Sequence, residues 1–164
     1  MAVRPIRLLG DPVLRTPCDE VVRFDDALQR LVTDLLDNVQ EPGRAGLAAN
    51  QIGSTLAVFA YNVEGEFGYV INPRLVKTSG TQDGLEGCLS IPGVTAERAR
   101  AAYAVVEGVD TSQRAVTVAG SGELARALQH ETDHLSGELF IDKLTGDERR
   151  EVMRAVRSQN AAPH

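Results

Sequence analysis

Gly122-Glu-Leu-Ala-Arg-Ala-Leu-Gln-His130-Glu131-Thr132-Asp133-His134-Leu135 is the stretch on which the rest of the chain is organised. Leu124, Leu128 and Leu135 recur at helical spacing, Ser121 stands where a helix cap belongs and Gly137 where a helix stops, so a helix is predicted over about 122–135. His130 and His134 lie one turn apart, roughly 6 Å of rise, and therefore leave the same face. Two imidazoles so placed can meet one metal ion, while Glu131 between them is positioned to move protons for a water at that ion. Two exposed histidines on a polar turn would be the bland alternative. The chain has three histidines in all, the third being His164, and the leucines beside the pair point to a packed helix.

Outward from this helix the pattern alternates between helical and extended. Leu28, Leu31, Val32, Leu35, Leu36 and Val39 mark one buried face of a helix over about 25–40, with Asp25 or Asp26 as its cap and Pro42-Gly43 as its stop. Gly46-Leu-Ala-Ala-Asn-Gln-Ile-Gly53 is too rich in small residues for an ordinary strand and too short for a helix. Residues 55–61 and 67–71 read as strands around the turn Glu64-Gly65-Glu66, with Asn72-Pro73 ending the second and 75–77 a further short piece. Residues 103–109 and 115–118 form another pair. Thr145 and Glu148 have capping-box spacing and open a third helix with Val152, Met153 and Val156 inward; Gln159 to His164 read as a frayed tail. This is an α+β fold, with antiparallel or mixed sheets packed around the central histidine-bearing helix and further helices on the N-terminal and C-terminal sides.

At 164 residues, 43% hydrophobic and 24% charged, the chain has the composition of one globular domain spanning 1–164. No apolar run reaches the roughly 20 residues of a membrane span. Met1 to Arg7 lacks the apolar core of a secretion signal, so the cytoplasm is the expected compartment. A net charge of -6 excludes broad nucleic-acid binding. Arg149, Arg150, Arg154 and Arg157 concentrate positive charge on the last helix, where Asp147, Glu148 and Glu151 balance it.

Two histidines leave a catalytic ion short of its usual third protein ligand. Glu138 lies too close along the chain to be the distant ligand of zinc peptidases. Cys88, in the turn-rich segment Glu86-Gly87-Cys88-Leu89-Ser90-Ile91-Pro92-Gly93, is the better candidate, although a buried cysteine also serves simply as a small hydrophobe. Cys18 has only Asp19 and Glu20 for company and reads as a bystander.

Three segments now stand in order: Gly46-Leu47-Ala48-Ala49-Asn50-Gln51, Glu86-Gly87-Cys88-Leu89-Ser90 and His130-Glu131-Thr132-Asp133-His134. Together they resemble the three signature motifs of the peptide deformylases, over nearly the whole chain. The resemblance implies that Cys88, His130 and His134 bind the metal, that Glu131 is the catalytic glutamate, and that Gln51 and the Leu89 backbone N–H serve the oxyanion. It implies hydrolysis of the formyl group from N-formylmethionine of nascent polypeptides with release of formate. Ferrous iron is the implied metal, with zinc or nickel able to replace it, although a Cys-His-His set by its chemistry alone suits zinc. Gly46 and Gly87 are expected to let the peptide backbone approach. Arg100 matches a family arginine near the peptide path, or else is an exposed salt-bridging arginine.

One departure stands out. The family's first motif opens Gly-x-Gly, and Arg44 holds the first glycine's place, so altered peptide preference is expected. A monomer with transient proximity to the ribosome is the expected state. Two competing functions remain: a zinc peptidase acting on unformylated peptides, and a non-catalytic metal-bearing module docking through the Arg-rich helix.

Overall fold

The computed structural model describes residues 4–161, with side chains described through residue 158. The N-terminal reading on Met1–Val3, the end of the frayed tail, and His164 lie outside the described residues.

Helix α1 (Asp26–Val39) starts as its sequence demands: the Asp25 carboxylate accepts from the Leu28 N–H, satisfying one of the free donors of the first turn. It buries Leu28, Leu31, Val32, Leu35 and Val39. The next segments enter a five-stranded sheet: β1 (Gly46–Ala48), β2 (Val58–Val63), β3 (Glu66–Ser79), β6 (Tyr103–Val109) and β7 (Ala115–Ser121), in spatial order β1-β2-β3-β6-β7. Every pairing is antiparallel. Successive side chains of a strand face opposite sides, and here both sides are covered. Leu47, Val58, Ala60 and Ile71 pack with α1. Ala48, Phe59 and Val70 pack with Ala125, Leu128 and Leu135 of α2 (Gly122–Leu135) on the other face. The histidine-bearing helix is therefore clamped against the sheet.

A hairpin, β4 (Leu85–Cys88) and β5 (Ile91–Glu97), forms a separate two-stranded sheet. Ile91, Val94 and Ala96 rest on Phe140, Ile141, Leu144 and on Val152 and Val156 of α3 (Gly146–Ala161). This cluster fixes the hairpin over α2.

The structure corrects the sequence in four places. Segment 86–93, read as turn-rich, belongs to this hairpin; its glycines and Pro92 obscure the alternation of inward Ile91, Val94 and Ala96. Asn72-Pro73 does not end a strand. The Asn72 side chain exchanges two hydrogen bonds with the Val21 backbone (2.8 and 3.0 Å) and the residue adopts φ 53°, so β3 bulges there and continues to Ser79. Segment 46–53 splits into strand β1 and a single 3-10 turn, Ala49–Ile52. Residues 159–161, read as part of a frayed tail, continue α3.

Candidate metal centre

Three elements meet where α2 faces the hairpin. On α2, His130 and His134 turn their Nε2 atoms towards each other, 3.1 Å apart, with ring centroids 4.8 Å apart. From the hairpin comes Cys88, whose sulfur lies 3.3 Å from His134 Nε2. The register of β4 slips between Gly87 and Cys88, a bulge that re-aims the cysteine towards α2. The donor atoms of Cys88, His130 and His134 all lie within 4.8 Å of one another. One cysteine sulfur and two imidazoles converging in this way are the donor set and spacing of a metal site that leaves room for a further ligand.

The surroundings fit an ion at this point. Glu86 accepts from His130 Nδ1 at 2.7 Å, so in the neutral imidazole the lone pair of Nε2 faces the centre. Phe140 stacks on the same ring at 25°. Two buried polar atoms at the site, Glu131 Oε1 and His134 Nδ1, have no partner among the protein groups. An unpartnered carboxylate oxygen in a dry site is costly unless a ligand or water answers it.

The electrostatics are set by burial. Burial pushes the Glu131 carboxyl up to about 7, against the pull of nearby His130. Burial also drives His134 well below the ordinary histidine value, reinforced by the neighbouring His130. His130 goes the other way, because Glu131, Cys88 and Glu86 together outweigh its burial. Glu86, although buried, is held well below the usual carboxylate range by Arg100 and His130. Arg100 donates to it twice, through Nε at 2.9 Å and Nη2 at 2.7 Å, and Arg126 adds a third bond at 2.9 Å.

The 3-10 turn 49–52 supplies the other wall. Gln51 is buried, and its Oε1 accepts from the Ala48 N–H at 3.0 Å. That bond fixes the amide so that Nε2 faces the Ser90 hydroxyl (3.1 Å) and the Cys88 sulfur (3.7 Å). The neighbouring Asn50 donates to the His134 carbonyl at 2.6 Å, tying this turn to the end of α2. Leu89 sits at the hairpin tip. All these groups open on a cleft of ≈ 430 Å³ whose walls include Arg44, Gly46, Gln51, Cys88, Leu89, Arg126, His130 and Glu131.

The expected residues thus come together with three revisions. Arg100 is not on this cleft and is not exposed: it lies behind β4, buried, bound to Glu86 and to Asp133 at 2.6 Å. Gly46 does line the cleft, but its missing Cβ makes room for the protein itself, since a Cβ there would lie 2.5 Å from Glu131 Oε2. A Cβ at Gly87 would meet Thr95 Cγ2 at 3.3 Å, across the hairpin, so that glycine serves strand pairing. Cys18 does not line the cleft, and burial pushes its thiol up to about 11, which keeps it protonated. Sequence reasoning missed Glu86, Ser90, Asn50 and Arg126 as parts of the site. Glu86 was legible in one respect, as an acid two residues before the candidate ligand cysteine.

Fold and site define the class of a metallohydrolase of the His-Glu-x-x-His type, with a cysteine on a hairpin as the candidate third ligand. The model of the polypeptide deformylase family matches residues 3–150. The chain is 51% identical over 157 residues to the peptide deformylase of Acidothermus cellulolyticus, covering 96% of this chain and 87% of that one. It is 48% identical to peptide deformylase 2 of Streptomyces coelicolor, over 94% and 89% of the two chains. Among solved structures, the peptide deformylase from Legionella pneumophila superposes with TM-score 0.89 at 36% identity, covering 99% of this chain and 100% of that one. The Thermus thermophilus enzyme gives TM-score 0.88 at 38% identity, over 96% and 95%. The chain belongs to the polypeptide deformylase family, and its reaction is the hydrolytic removal of the formyl group from nascent peptides.

Proposed function

We propose that Cys88, His130 and His134 hold the catalytic metal of this deformylase and that Glu131 carries the proton through the reaction. The observation that supports this most is the convergence of those three donor atoms within 4.8 Å beside a buried, unpartnered Glu131 oxygen. When bound, the metal supplies Lewis-acid polarisation and acidifies water towards a pKa of about 7.

The remaining steps belong to the protein. Glu131 accepts a proton from the attacking water; burial brings its carboxyl up to about 7, which suits a group that takes a proton and returns it in one cycle. As the C–N bond of the formamide breaks, Glu131 returns the proton to the departing amine. The Gln51 amide, already oriented by the Ala48 N–H, and the Leu89 backbone N–H donate to the developing oxyanion. Gly46 supports Glu131 by leaving space for its carboxylate, and Glu86 orients His130.

Ferrous iron is the proposed resident metal, with zinc or nickel able to take its place. Residues 1–164 act as one catalytic domain, monomeric and cytoplasmic, working close to the ribosome during synthesis. No helix among the described residues is long and apolar enough to cross a membrane. Formate release from formyl-Met-Ala-Ser, compared with cleavage of unformylated Met-Ala-Ser, tests the assignment. Formate from the first and no cleavage of the second is expected; the reverse would establish a peptidase.

A further inference from the structure

Arg44 is a cation that the family motif does not provide, since a glycine opens that motif. In the structure it lines the cleft beside Gly43, Ala45 and Gly46. Its Nη1 donates to the Asn38 carbonyl at 3.0 Å, in the last turn of α1, where a helix end favours positive charge. This anchor fixes the guanidinium while using one of its five donors. Among the described residues no carboxylate oxygen lies within the 4.0 Å of an ion pair with it.

The other charges of the cleft are differently placed. Glu86 is engaged by Arg100 and Arg126. Glu131 sits against Gly46, at the reacting end. Glu123 is exposed on the α2 side. Arg44 is therefore a half-buried, anchored cation lining the cleft two residues before the Gly46 that abuts Glu131. Arg44 stands two residues before Gly46, with a bend at Ala45 ahead of β1, so the two backbones are at most about 7 Å apart. An extended peptide whose formyl group lies at Glu131 would bring its second or third residue to the same distance.

We propose that Arg44 makes this enzyme select formylated peptides with an acidic side chain at the second or third residue over those with a basic one. The inference rests on the deformylase reading of the same cleft. A fixed guanidinium attracts a carboxylate without ordering its own side chain, and it repels lysine or arginine. A partly solvated pair supports a modest effect, weakened by salt.

The test is kcat/KM for formate release from formyl-Met-X-Ala and formyl-Met-Ala-X, with X as Asp, Gln or Lys, using the metal-loaded full chain. The parent enzyme is expected to favour Asp over Lys by about 3- to 10-fold at one or both positions at low ionic strength, shrinking as salt is raised. Because each ratio is taken within one enzyme, a general loss of activity cancels. Arg44→Lys should keep the preference, Arg44→Met should bring it to within about 2-fold, and Arg44→Glu should invert it. Turnover of all peptides with no charge preference in the parent overturns this inference alone, as does an acidic preference that survives in Arg44→Met. Absence of formate from every peptide overturns both it and the deformylase reading.

Discussion

Replacing Glu86 by Gln tests whether the buried ion network behind the hairpin holds the metal centre in shape. Glu86 accepts four hydrogen bonds: two from Arg100, one from Arg126 and one from His130 Nδ1. Glutamine keeps the volume but turns one acceptor into a donor facing a donor, and it removes the charge that balances two guanidiniums. Breaking one side of a buried ion pair costs about 3–5 kcal/mol. Arg100 keeps Asp133 at 2.6 Å and Arg126 keeps the Arg98 carbonyl at 2.7 Å, which places this case at the lower end. About 3 kcal/mol in a chain of this size lowers Tm by roughly 6–12 °C. With its orienting partner compromised, His130 should bind metal about 10- to 100-fold more weakly. Calorimetric melting of the metal-free protein and a chelator competition measure the two effects separately. A melting point within about 2 °C of the parent, together with unchanged metal affinity, would refute the argument.

Other outcomes follow from the same geometry. Glu131→Gln should lower kcat by about 10²- to 10⁴-fold while metal content, measured by elemental analysis, is retained. Gly46→Ala sets a methyl against the Glu131 carboxylate and should reduce kcat more than Gly87→Ala, whose methyl meets the Thr95 methyl and the Val94 carbonyl at 3.3 and 3.5 Å; circular dichroism checks that both fold. Asp142, despite partial burial, is held below the usual carboxylate value by Arg15 and the Leu139 N–H. Its contribution is present above the unfolded pKa of about 3.9 and is lost as pH falls through the lower folded value, because the unfolded chain binds the proton first. Tm measured against pH should therefore fall less steeply below pH 4 in Asp142→Asn than in the parent.

What the sequence made legible was local. His130 and His134 share a helix, so their convergence follows from one turn of geometry, and the α1 face from periodicity alone. Cys88 and Gln51 come to the site through long-range packing, which the ordered motifs indicated and no spacing could. The β4–β5 hairpin escaped because Gly87, Pro92 and Gly93 carry turn chemistry, while its stability comes from Val152 and Val156 far along the chain. Arg100 was ambiguous because its burial depends on Glu86 and Asp133, and charge pairing across 14 and 33 residues leaves no local pattern. Gly46 shows a related limit: the need for a glycine is visible in sequence, whereas the atom that fills its space, a Glu131 carboxylate oxygen, is visible only in three dimensions.

The central claim, that one metal held by Cys88, His130 and His134 works with Glu131 to hydrolyse a formamide, is tested most directly by titrating metal-free protein with ferrous iron under anaerobic conditions. Formate release from formyl-Met-Ala-Ser should rise in proportion to bound iron and level off at one ion per chain. Formate release at full rate without metal, or none at full occupancy, would contradict it.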